Sequence, residues 1–300
     1  MNERKNIPIP TACNEIDLAA WTKVGEGGNG AVYTNGNEPG VILKLSFQES
    51  GTLPAVAKEF YTSKAVYDLG VPTPQMIDIV RVGSNYGIKS RLVGNKKSLA
   101  RICGEDPPRI KEMAAVMAEL GKRLHSTEVM TLDMAGGGEW LPSMKALMLQ
   151  ALASTNMLGG KKLQEVTAFV GSLEDAPTLL HGDFNLGNLI FSMPGETPYW
   201  IDLGRAAHGL PMFDLGHLYL FCNIFSKKKR VQEITHMTEG QMLRFWSAFA
   251  LAYNGAGGLD RFTAECRRFA ALDVLLLGYI QPLSLLERMA LGLIAKSMFR

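Results

Sequence analysis

The run His181-Gly-Asp-Phe-Asn-Leu-Gly-Asn188, followed by Leu189-Ile-Phe191, a Pro-Gly turn and Tyr199-Trp-Ile-Asp-Leu-Gly204, most limits the folds open to this chain. Two short apolar runs either side of a turn predict a β-hairpin. Asp183 and Asn188 stand five residues apart across the tight loop before that hairpin, and Asp202 closes its returning strand. All three can then face one point. Singly, Asp183 and Asn188 also suit a turn and Asp202 a cap or strand end. Together, two carboxylates and an amide oxygen form a set of hard ligands suited to Mg²⁺, which takes a few protein oxygens and fills its shell with phosphate and water.

Upstream, Val24-Gly-Glu-Gly-Gly-Asn-Gly-Ala-Val-Tyr33 contains G-x-G-x-x-G-x-V at Gly25, Gly27, Gly30 and Val32. Glycines let backbone approach phosphate oxygens, and they also suit a ligand-free hairpin tip. A dinucleotide site needs a helix directly after the glycines. Here a turn and the apolar run Val41–Leu45 follow, so a β-hairpin is expected. Lys44 lies in that returning strand among aliphatic residues. It is either a surface lysine on an edge or a half-buried ammonium that needs a counter-charge, for which Glu59 is one candidate. Glu59 falls in a segment, Pro54 to Leu69, that reads as a helix opening with proline and stopped by Gly70.

These motifs resemble the kinase-like superfamily, and within it the aminoglycoside phosphotransferase and choline kinase branch. The resemblance covers residues ~20 to ~220. It implies an α+β, bilobal protein-kinase-like fold, with a small antiparallel β-sheet lobe bearing one helix and a larger, mainly helical lobe. Residues 1–93 would form the nucleotide-binding lobe, and 94–300 the lobe with the catalytic loop and acceptor site. It further implies that Asp183 orients the acceptor hydroxyl and takes its proton, that Asn188 and Asp202 hold Mg²⁺, and that Lys44, held by Glu59, anchors the nucleotide phosphates. The Gly25, Gly27, Gly30 and Val32 loop would cover the triphosphate of ATP or GTP, Ser90 to Gly94 would be the hinge, and Asp214 would support the catalytic loop. The implied reaction moves a γ-phosphate to a hydroxyl of a small molecule bound among residues ~126–180 and ~205–280. An atypical protein kinase and a nucleotide-binding pseudoenzyme are the alternatives. Only eleven residues separate Asp202 from Asp214, and no A-P-E follows, which leaves little room for a peptide platform.

From Pro108 onward helical patterns dominate, with helices expected near 109–125, 143–157, 161–172, 211–225, 238–253, 260–278 and 283–298. The balance of 31 basic and 29 acidic residues gives no reason to expect nucleic acid as a partner. Cys13, Cys103, Cys222 and Cys266 stand singly and read as reduced packing thiols. The first residues lack a secretory core, and the most apolar stretch, Phe269 to Leu286, is interrupted by Asp273, Gln281, Pro282 and Ser284, so a cytoplasmic protein outside the membrane is expected. His125, His208, His217 and His236 lack metal-ligand spacing and read as packed or surface residues, while His181 braces the loop. The Lys227-Lys-Lys-Arg230 run reads as a solvated turn.

Overall fold

Side chains alternate across a strand, so Val41-Ile-Leu-Lys-Leu-Ser46 must send Leu43 and Lys44 to opposite faces of any sheet it joins. The computed structural model describes residues 8–27, 30–47, 51–129, 141–193, 195–281 and 283–299. Chain contacts divide it into two compact units. One comprises the described residues up to Lys97 with Ile190–Arg205, and the other residues 98–129, Pro142–Leu189 and 206–299. The grouping is not continuous in sequence, because the segment bearing Asp202 belongs with the residues before Lys97 rather than with its neighbours in the chain.

The first unit holds β1 (Asn14–Glu15), β2 (Thr22–Gly27), β3 (Gly30–Thr34), β4 (Val41–Ser46), α1 (Leu53–Asp68), β5 (Met76–Val82) and β6 (Asn85–Arg91). The strands form one sheet in the order β1-β5-β6-β4-β3-β2, antiparallel except for β1 beside β5. Helix α1 carries proline in its first turn and is followed by Gly70 at φ 79°, a left-handed position that glycine takes without strain. Its buried Val56, Ala57 and Phe60 pack on Ile79 and Ile88, while Trp21, Leu43 and Val80 form a separate cluster. Lys44 pairs directly with Ile88 in the β4–β6 register, so it shares the sheet face that α1 covers. A smaller sheet, β10-β9-β7, joins β7 (Lys96–Ser98) to the hairpin of β9 (Leu189–Ser192) and β10 (Thr197–Trp200).

The second unit holds α2 (Leu99–Glu105), α3 (Ile110–His125), α4 (Met144–Ser154), α5 (Gly160–Ser172), α6 (Met212–Asn223), α7 (Lys229–Thr235), α8 (Glu239–Asn254), α9 (Leu259–Ile280) and α10 (Leu285–Met298), with the two-stranded pair β8 (Leu179–Leu180) and β11 (Ala207–His208). Helix α3 buries Met113, Ala114, Met117, Ala118, Gly121 and Leu124 at three- and four-residue steps. The capping boxes of α8 (Thr238, Gln241) and α10 (Ser284, Glu287) fix where those helices start. A core of Met148, Leu152, Val170, Phe269, Leu272 and Leu275 ties α4, α5 and α9 together.

Two short helices were not expected from the pattern. α2 starts where Ser98 accepts the Arg101 N–H, and α7 begins inside the basic run. Lys229 and Arg230 are therefore helical rather than part of a turn, although all four basic residues are exposed. Among the described residues no helix is long and apolar enough to cross a membrane.

Candidate active site

In the first unit, Lys44 Nζ donates to Glu59 Oε1 at 2.8 Å and to Asp202 Oδ1 at 2.6 Å. The geometry follows from the fold. Lys44 leaves the sheet on the face covered by α1, Glu59 lies on α1 one residue before buried Phe60, and Asp202 follows β10. Burial alone would discourage the ammonium charge, but the two carboxylates outweigh it and raise the pKa of Lys44 above its ordinary value. Asp202 has φ 58°, an uncommon conformation for a non-glycine residue. Two residues on, a Cβ at Gly204 would stand 3.1 Å from Glu59 Cγ, so glycine there keeps the Glu59 carboxylate undisturbed.

The glycine-rich hairpin is β2 and β3. Gly25 pairs with Val32 just after a bulge, and Gly27 pairs with Gly30. A side chain at Gly30 would collide with the Leu45 carbonyl of β4. The hairpin tip, residues 28–29, lies outside the described residues, as do residues 130–140 within the stretch expected to hold the acceptor.

In the second unit, the loop after β8 carries Asp183 and Asn188. Asn188 Nδ2 donates to the Asp183 carbonyl at 2.9 Å and to Asp183 Oδ2 at 3.0 Å. Asn185 Nδ2 donates to Asp183 Oδ1 at 3.2 Å, while its own Oδ1 accepts the Gly187 N–H at 2.8 Å. Buried Asp214 on α6 fixes the loop backbone by accepting the N–H of His181 at 2.7 Å and of Gly182 at 2.9 Å. Its Oδ2 also lies 3.1 Å from His125 Nε2, and His125 Nδ1 is 2.8 Å from the Tyr253 hydroxyl. Burial would raise the Asp214 carboxyl, but the hydrogen bond and charge of His125, with the charge and backbone N–H of His181, hold it below the usual carboxylate range.

His217, read from the sequence as packed or on the surface, is buried and spans two carboxylates. Its Nε2 lies 2.9 Å from Asp183 Oδ1 and its Nδ1 2.8 Å from Asp273 Oδ2. The only sequence signal was a polar residue in each of two apolar helices, α6 and α9, where burial demands a partner. His208 Nδ1 contacts the Ala176 carbonyl, and His236 is the exposed left-handed residue after α7.

The family model described as "Phosphotransferase enzyme family" matches residues 21–269. The chain belongs to that family. This phosphotransferase-family chain is 24% identical over 200 residues to acyl-CoA dehydrogenase family member 11 of Pongo abelii, a match that covers 61% of the chain and 24% of the relative. It thus spans about a quarter of that relative's length. Among solved structures it is similar to a thermostable mutant of aminoglycoside phosphotransferase APH(4)-Ia in ternary complex with AMP-PNP and hygromycin B, with TM-score 0.60, 13% identity and 93% of each chain covered. It is also similar to an ethanolamine kinase of Plasmodium vivax, with TM-score 0.55, 15% identity, and 92% and 81% of the two chains covered. At these identities the solved structures establish the fold, which is α+β and kinase-like, in agreement with the branch read from the motifs.

In each unit taken by itself, the donor chemistry suits a hard divalent cation. Asn188 turns its amide nitrogen to Asp183, so its carbonyl oxygen is the end left for a cation, and Asp202 gives Lys44 only Oδ1. Carboxylate and amide oxygens suit Mg²⁺. Among the described residues no group of three or more His, Cys, Asp or Glu side chains is placed to hold a metal.

Proposed function

We propose that the chain is a Mg²⁺-dependent phosphotransferase that moves the γ-phosphate of ATP or GTP to a hydroxyl of a small molecule. The observation that carries this reading is the triad of Lys44, Glu59 and Asp202, in which residues 158 apart in sequence meet at 2.6 Å. Phosphoryl transfer asks for charge neutralisation and alignment more than for covalent help. A lysine fixed between two carboxylates supplies an aimed cation for the nucleotide phosphates, and the Gly25–Gly30 hairpin supplies backbone N–H donors. Asn188 and Asp202 would hold Mg²⁺, which when bound offsets the charge of the phosphates.

On the acceptor side, Asp183 takes the hydroxyl proton as the acceptor oxygen bonds to the γ-phosphorus. The bond from that phosphorus to the β,γ-bridging oxygen breaks, and the nucleoside diphosphate leaves. Residues up to 93 are assigned to the nucleotide and those beyond to the catalytic loop and acceptor. The hydrogen bonds around Asp183 support its role, because Asn185 and Asn188 aim its carboxylate and Asp214 fixes the backbone on which it stands. Hygromycin B, bound in one structural relative, and ethanolamine, named in another, are among the acceptors to try.

The test is ADP and GDP release from the Mg²⁺ nucleotides across amino alcohols, sugars, nucleosides and aminoglycosides. At least one acceptor should stimulate release, and Asp183→Asn should lower kcat by about 10²–10⁴-fold while nucleotide affinity stays within about twofold. Equal turnover in variant and parent would remove Asp183 from the chemistry. Phosphate transfer into mixed protein, with none into small molecules, would favour the protein-kinase alternative.

A further inference from the structure

A carboxylate on a loop is useful as a base only if its aim is fixed, since a misplacement of 1 Å in a reacting group can lower a rate by about 100-fold. Asp183 is held from three directions. Asn185 and Asn188 belong to its own loop, so they move with it. His217 does not, because it stands on α6 and reaches Asp183 Oδ1 from outside the loop at 2.9 Å.

His217 is itself fixed. Its Nδ1 meets Asp273 Oδ2 at 2.8 Å, and both side chains are 10% exposed. Asp273 interrupts the apolar run Phe269 to Leu277 of α9, all buried, where an ionised carboxylate is costly unless paired. The helices come close enough for this pairing because α6 has glycine at 216, where a Cβ would stand 2.7 Å from the backbone of Phe269 and Ala270. Met144, Met148, Phe213 and Leu276 line a small crevice with His217 and Asp273, and this apolar surround strengthens the charge pairing. Two ionised carboxylates can only accept, so the imidazole donates from both nitrogens. The raised pKa of His217, about 10, agrees, with burial opposing the charge and Asp273 and Asp183 more than restoring it.

We propose that His217, anchored by Asp273, is the positioning residue that ties the proton-accepting carboxylate of Asp183 to the rigid α6–α9 pair. The proposal rests on the phosphotransferase reading. It makes Asp273 a distant support of the reaction, touching neither acceptor nor nucleotide.

Two amide substitutions separate the two ends of the imidazole. Glutamine places its nitrogen near the position of Nε2, whereas asparagine reaches only the position of Nδ1. In the full chain, with Mg²⁺·ATP and ADP release as the readout, His217→Gln should keep at least about a third of the parent kcat, and His217→Asn should lose about 10–100-fold. Both should leave the KM for ATP unchanged. The double variant His217→Gln/Asp273→Asn leaves no buried charge unmatched, so it guards against a folding defect and should match His217→Gln. Equal kcat in the glutamine and asparagine variants, compared at equal folded fraction, overturns the proposal alone, provided Asp183→Asn still lowers kcat by about 10²–10⁴-fold. An absence of both ADP and GDP release from the parent across the acceptors removes the phosphotransferase reading and this proposal with it.

Discussion

Lys44 keeps its charge where burial works against it, because Glu59 and Asp202 both lie within 2.8 Å of its ammonium. The same arrangement leaves the three groups with one net negative charge, which suits Asp202 to share a divalent cation as well as the lysine. Asp202→Ala should therefore abolish the Mg²⁺-dependent part of nucleotide binding and leave a weaker, metal-independent part carried by Lys44. Calorimetric titration of the nucleotide with and without Mg²⁺ checks this, and an unchanged metal dependence would take Asp202 out of the cation's shell. Asp202 also stands at φ 58°. Asparagine tolerates that backbone better than alanine does, so Asp202→Asn separates the loss of charge from added backbone strain.

Among the elements, one close approach on which the site depends is that of α6 and α9 at Gly216. A methyl group there would stand 2.7 Å from α9 backbone, and backbone cannot rotate aside as a flexible side chain can. Gly216→Ala should therefore destabilise the chain by about 1–3 kcal/mol despite alanine's better helix propensity, read as a lower urea midpoint. Stability equal to or above the parent's would mean that the helices separate without loss. How much of these elements was legible follows the range of the signal. Periodicity and caps located α1, α3 and the later helices to within a few residues, because those signals are local. The seven-residue α2 and α7 gave too few turns for a period to emerge. Lys44 with Glu59 could be paired in advance because strand and helix are near in sequence and the motif resemblance named both. His217 with Asp273 could not, because a buried histidine and a buried aspartate 56 residues apart each announce that a partner exists without saying which.

For the molecule as a whole, two buried ionic centres set opposite edges of the pH range of stability. His217 rises from 6.5 to about 10, and the charged groups facing it are Asp183 from the loop and Asp273 from α9. A histidine whose folded pKa exceeds its unfolded one adds stability that is complete below pH 6.5 and is lost as pH rises through about 10. Asp214 behaves oppositely. Held below 3.8, its carboxyl adds stability above that value and loses it as pH falls through the depressed folded pKa. Urea midpoints measured from pH 6.5 to 10 should fall more steeply for the parent than for His217→Gln, and parallel curves would show that the imidazole is not charged in the folded chain.

The segment Ile190–Arg205 completes the sheet-bearing unit although more than ninety residues separate it from Lys97. During synthesis, β4 and α1 leave the ribosome long before the hairpin that brings Asp202, so until residue 202 emerges Glu59 is the one carboxylate of the two available to Lys44. With Glu59 alone the ammonium is balanced one to one, and Asp202 then adds the net negative charge of the set. Asp202 arrives on the polypeptide that follows the loop of Asp183 and Asn188, so the lysine acquires its full setting only after those two residues have been made.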